Sequence, residues 1–139
     1  MLTELEKGSL MKLFNRSGYV LDFSTADFDV FTMNSVGVAL CTKYRSSKGR
    51  SLLAFIHEAS EDKVYKIFTD LMSYYESEYS NFEIETQEKK EDLFYDSGKY
   101  RRLYLRCKDI LRKHDSVGTN GLIVESVKKS FSTEYMSQQ

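Results

Sequence analysis

Val64, Ile67, Phe68, Leu71, Met72 and Tyr75 recur at intervals of three and four residues, which places all six on one side of a helix. This is the strongest periodicity in the chain. Ahead of it, Ser60-Glu61-Asp62 reads as a cap followed by acids in the first turn, where the helix dipole favours them. Tyr74 and Tyr79 lie off or beyond that stripe. Nearer the N-terminus, apolar residues at 2, 5, 10, 13 and 14 predict a helix over 2–14 that the turn Arg16-Ser17-Gly18 ends. Tyr19 to Phe23 follows as a short extended stretch. Ser24 is a natural N-cap for the next helix, with Asp27 three residues on and Phe28 and Phe31 beginning its apolar face. That helix is expected to end near Asn34 or Gly37, and Val36 to Leu40 reads as a short strand or buried coil.

Ser46 or Ser47 opens a further helix, with Leu52, Leu53, Phe55 and Ile56 as its buried face. Asn81 to Gln87 reads as extended or loop. A long helix is expected from Lys89 to His114, carrying Leu93, Tyr100, Leu103, Tyr104, Cys107, Ile110 and Leu111 on one side and interrupted by Gly98. The glycines and asparagine of Ser116 to Gly121 predict a loop. Leu122-Ile123-Val124 begins a last apolar element, and 131–139 reads as a short helix. The pattern therefore predicts an all-α fold, a compact bundle of five or six helices with short extended links. Phe28, Phe31, Leu52, Leu53, Phe55, Ile67, Phe68 and Leu71 are its expected core.

Composition adds limits more than identity. The chain has 139 residues, 41% of them apolar, and no proline, so helix ends must come from glycine, asparagine and serine caps. One domain suits that length. With 20 Lys and Arg against 21 Asp and Glu, the net charge excludes a global polyanion-binding field but leaves room for a local basic patch. No apolar run approaches the roughly 20 residues a bilayer requires, and the acidic N-terminus resembles no signal peptide. Cys41 and Cys107 read as free buried thiols of a reducing compartment. These features together predict a cytoplasmic chain.

Candidate chemistry is sparse. His57 and His114 are the only histidines, and neither has metal-ligand spacing to a cysteine, so neither a metal site nor a cofactor is expected. His114 is placed at a helix C-terminus, where a cation suits the dipole. Arg50 and His57, seven residues apart, fall two turns apart on one side of a helix, where they could stabilise a phosphorane and move a proton. HEPN-type ribonucleases use an arginine and a histidine at related spacing. Asp22, Asp27 and Asp29 cluster near a turn but lack the glycine and terminal glutamate of a calcium loop.

The strongest local charge lies between Lys99 and Lys113, where seven bases meet one acid, Asp109. Six acids and two lysines stand between Glu83 and Asp96. This polarity suits the helix dipole on a solvated face. The same face, with Lys99, Arg102, Arg106, Arg112 and Lys113, could also contact nucleic acid phosphates or an acidic protein. Tyr74 and Tyr79 are surplus aromatics suited to anchoring a partner.

Three segments, Phe14 to Phe31 with its Gly18 and Val20-Leu21-Asp22-Phe23 run, Ser47 to Phe55, and Phe131 to Met136, are together similar to the N-terminal domain of AbiJ-like abortive infection proteins of bacteria. The resemblance covers nearly the whole chain. It implies a helical N-terminal domain over 1–128 and a connector over 129–139 toward a C-terminal HEPN-like effector that lies outside this sequence. It implies no catalytic residue here, and Arg50 falls in its Ser-Lys segment as a structural match. The expected function is a non-enzymatic regulatory or sensing domain in antiphage defence. Its expected partners are its own effector domain, itself, or a phage or host protein. A nucleic-acid-binding module on the 99–113 face is the alternative, and a HEPN-like ribonuclease the third reading.

Overall fold

The computed structural model describes the backbone of residues 1–79 and 97–122, and the side chains of 1–79 and 98–115. The described residues form six helices and one two-stranded hairpin: α1 Glu4–Phe14, β1 Asn15–Arg16, β2 Tyr19–Val20, α2 Thr25–Val36, α3 Leu40–Tyr44, α4 Lys48–Glu58, α5 Glu61–Tyr79 and α6 Ser97–Leu122. The all-α expectation is correct. Two compact units divide the chain, Met1–Lys108 and Asp109–Gln139. Among the described residues no helix is long and apolar enough to cross a membrane.

Local chemistry explains most boundaries. Thr3 caps α1 in a full capping box, its hydroxyl accepting the Glu6 N–H at 3.1 Å while the Glu6 carboxylate accepts the Thr3 N–H at 3.0 Å. Ser24 caps α2 by accepting the Asp27 N–H, and Gly37, at φ 80°, ends it. Ser47 caps α4 by accepting the Arg50 N–H at 3.3 Å. Between α1 and α2, Asn15 and Arg16 pair antiparallel with Val20 and Tyr19. The turn residues Ser17 and Gly18 both have positive φ, 58° and 92°, as the favoured two-residue hairpin turn requires.

Helix α3 departs from expectation. Val36 to Leu40 is not strand: Val36 closes α2, Gly37 to Ala39 form a short irregular link, and Leu40 opens α3. Its N-terminal donors are satisfied from α2 rather than locally. Asp29 accepts the Cys41 N–H and the Thr42 hydroxyl, both at 2.7 Å, and Thr32 accepts the Leu40 N–H at 3.2 Å. Asp29 is thus a cap for a neighbouring helix, and the Thr32 side chain is fully buried to serve it.

The core of the first unit gathers around α5. Val64, Ile67, Phe68, Leu71, Met72 and Tyr75 are all buried, as their spacing predicts. Phe14 of α1 stacks on Phe68 and meets Tyr75 edge-on, with ring centroids 6.2 and 6.3 Å apart. Phe28, Leu52, Phe55, Leu103 and Cys107 complete it. Two expected core residues do not belong. Leu53 is 44% exposed, because the side of α4 carrying Gly49, Leu52, Phe55 and Ile56 faces inward and leaves the second leucine of the pair outside. Phe31 is only half-buried and packs against Phe23 and Tyr74 at the surface. Both cysteines are free and buried. Burial pushes the Cys107 thiol up to about 12, and burial with the Asp29 charge raises Cys41.

Helix α6 corrects two further expectations. Ser116 to Gly121 is helix, not loop, since α6 runs to Leu122 and each added residue gains a hydrogen bond that outweighs the weak propensity of Gly118, Asn120 and Gly121. His114 therefore sits within the helix rather than at its end. Gly98 lies in the first turn of α6 and interrupts nothing among the described residues. The expectations for Asn81 to Gln87, for Lys89 to Asp96 with Leu93, for the element after Leu122 and for the 129–139 connector fall outside the described residues.

Candidate functional site

Packing of α2 against α5 leaves an open groove of about 400 Å³ between them, lined by Phe31, Asn34 and Ser35 of α2 and Asp70, Ser73 and Tyr74 of α5. Its position follows from helix periodicity. Phe28, Thr32 and Val36 take the buried side of α2, so Phe31 and Ser35 fall at its flank, with the exposed Asn34 further round the helix. Tyr74 likewise sits one residue before the buried Tyr75.

The groove has an aromatic part and a polar part. Phe31 and Tyr74 meet edge-on at 6.1 Å, and Phe23 stacks behind Tyr74 at 4.3 Å. The Tyr74 hydroxyl donates to Asp22. Burial first, and the Asp22 carboxylate second, hold the Tyr74 phenol well above its ordinary value. Opposite, Ser35 donates to Asp70 at 2.6 Å, and Lys66 pairs with the same carboxylate. On α2, Val30, one turn before Asn34, is 61% exposed. Such an arrangement can seat an apolar side chain on the rings while Asp70 and Asn34 offer hydrogen-bonding oxygens at its edge.

The other candidates are dispersed. Tyr79 is not at the groove: it stacks on Tyr75 at 5.1 Å, with the Arg16 guanidinium 5.6 Å from its ring. Arg16 also lies 3.9 Å from the Tyr100 ring, tying α6 to the hairpin. Arg50 and His57 are both exposed on α4, near its opposite ends. Neither shows a hydrogen bond to a titratable side chain among the described residues. Tyr44 donates to the adjacent Glu58. That bond holds the Glu58 carboxyl below its usual range, while burial and Glu58 push the Tyr44 phenol up to about 12.

On α6, Lys99, Arg102 and Arg106 are exposed, whereas Leu103 and Cys107 face the core. Lys108 is drawn into an ion pair with Glu76 of α5, which also accepts the Tyr104 hydroxyl at 2.6 Å. In the second unit, Arg112 pairs with Asp109 at 3.5 Å, and Lys113 is exposed. The basic run is thus partly structural. Among the described residues no group of three His, Cys, Asp or Glu side chains could hold a metal ion.

Sequence reasoning missed most of the groove. Tyr74 was identified as a contact residue, but Asn34, Ser35, Asp70 and Ser73 carry no local signal. A second missed feature was legible: no acid stands between Asp29 and Glu58, while Lys43, Arg45, Lys48 and Arg50 do. Compared with known proteins, the chain matches no family model, no curated protein sequence and no solved structure.

Proposed function

We propose that the chain is a non-enzymatic regulatory or sensing domain that works by protein–protein contact through the α2–α5 groove, in the antiphage abortive infection setting its sequence resembles. One observation carries the contact: an aromatic surface, Phe31 and Tyr74 with Phe23 stacked behind, lies open, and exposed Val30 stands one turn before its lining residue Asn34. Aromatic anchors with an apolar surround are what protein interfaces use for affinity. The defence setting rests on the similarity of Phe14 to Phe31, Ser47 to Phe55 and Phe131 to Met136 to AbiJ-like N-terminal domains. In that setting the occupant is an apolar side chain of the effector domain, of a second copy, or of a phage or host protein, met in the cytoplasm. Non-enzymatic action is favoured by the separation of Arg50 and His57 near opposite ends of α4, neither of them lining the α2–α5 groove.

Phage plating tests the reading. In bacteria expressing the complete natural gene, Ser73→Arg fills the groove and Val30→Asp adds a charge one turn before its lining residue Asn34, both at exposed positions. They are expected to abolish protection while protein abundance and melting temperature stay unchanged. Undiminished protection by both variants overturns the proposal.

A further inference from the structure

A second surface differs from the groove in chemistry. Arg45 closes α3 in the left-handed region, at φ 54°. Ser46 and Ser47 follow, and Lys48 and Arg50 stand in the first turn of α4. Gly49 lies between them against the hairpin, its N–H donating to the Gly18 carbonyl at 3.0 Å and its carbonyl accepting from the Asn15 side chain at 3.4 Å. This contact brings strand β2 beside the α3–α4 joint. The Lys48 ammonium lies 5.2 Å from the centroid of the Tyr19 ring, and that residue is 64% exposed. Two elements distant in sequence thus set one cation against an open aromatic face, with Arg45 and Arg50 within three residues of Lys48 along the chain.

The charges are not spent internally. Lys43 pairs with Glu58 at 3.6 Å. Arg45, Lys48 and Arg50 have no carboxylate partner among the described residues, and no acid lies between Asp29 and Glu58 in sequence. Two of the cations also oppose helix stability. First turns favour acids, and α1, α2 and α5 carry them there. The third residue after the Ser47 cap is the place where a glutamate completes a capping box; here it is Arg50.

We infer that Tyr19, Arg45, Lys48 and Arg50 form a binding surface for single-stranded nucleic acid, the cations meeting phosphates and the Tyr19 ring stacking a base. Cations alone would suit any polyanion. The exposed ring beside them favours a single strand, whose unpaired bases present faces to stack. This surface is separate from the α2–α5 groove, so Ser73→Arg leaves it intact and the two readings fail independently.

Fluorescence anisotropy of a short labelled oligouridylate with the full chain is the test. Binding is expected at low salt, with its logarithm falling linearly with log salt. Arg45→Glu and Arg50→Glu each weaken it roughly tenfold or more and flatten that slope by about 0.7. Tyr19→Ala weakens it roughly 5–100-fold. Arg50→Glu also supplies the capping-box carboxylate, so its melting temperature is unchanged or raised, which separates lost binding from lost fold. The inference is overturned if the oligonucleotide does not bind, or if Arg102→Glu and Arg106→Glu on α6 abolish binding while Arg45→Glu and Arg50→Glu do not. Equal binding of duplex RNA with Tyr19→Ala silent overturns it, as does binding only to phosphatidylserine vesicles.

Discussion

Phe68→Ala lowers the stability of the chain by about 3–5 kcal/mol, the range for removing a fully buried aromatic side chain. Its melting temperature falls by roughly 10–20 °C at this chain length. Phe68 is fully buried, belongs to the six-residue stripe of α5, and stacks on Phe14, which itself touches Tyr75. Truncation therefore removes contacts that bind α1 to α5 and leaves a cavity that rigid neighbours on two helices cannot fill. A thermal unfolding curve superimposable on that of the natural chain would show that the core is not where the α5 periodicity puts it.

Gly49→Ala reverses the usual sign of a glycine-to-alanine change in a helix. Alone in a helix interior the substitution stabilises by about 1 kcal/mol. Here the added Cβ would lie 2.6 Å from Asn15 Oδ1 and 2.8 Å from the Gly18 Cα. The Asn15 side chain is held by the Gly18 N–H, which it accepts at 3.1 Å, and by its own donation to the Gly49 carbonyl. It cannot swing aside without losing both bonds, and the Gly18 backbone cannot yield without moving the hairpin. A loss of about 1–3 kcal/mol is expected. Gly8→Ala in α1 meets nothing within 4 Å and gains about 0.5–1 kcal/mol. Urea midpoints that move in opposite directions for these two variants support the close approach of α4 to the hairpin. A shift to higher urea for Gly49→Ala would contradict it.

These two residues mark the range of what sequence could reveal. Phe68 was legible because one helix buries one stripe, and apolar spacing reports that stripe directly. The Ser24 and Ser47 caps were legible because the serine and the N–H it accepts lie three residues apart. Helix α3 was not, since Asp29 and Thr32, up to a dozen residues upstream, cap it across a tertiary contact. Leu53 and Phe31 were misplaced for a related reason: periodicity marks a side of a helix but not how far the neighbours cover it. Gly49 gave no sign of its packing role, which exists only once the hairpin folds against α4.

The groove shows the same limit at the level of function. Tyr74 stood out as an aromatic off the core stripe, whereas Ser35, Asp70 and Ser73 become neighbours only when α2 and α5 pack. The acid-free run from Val30 to His57 was visible in the chain, but its meaning depends on Tyr19 arriving beside Lys48. Among the described residues Arg50 and His57, paired by helical spacing, gain no third group from the fold.

Site-specific photo-cross-linking from Ser73, in the intact protein within the cells that make it, measures groove occupancy most directly. One discrete protein adduct is expected, lost on Val30→Asp and absent from a probe at the exposed Leu5 of α1. An adduct pattern from Ser73 that matches the pattern from Leu5, or that persists unchanged with Val30→Asp, would contradict a protein-binding groove between α2 and α5.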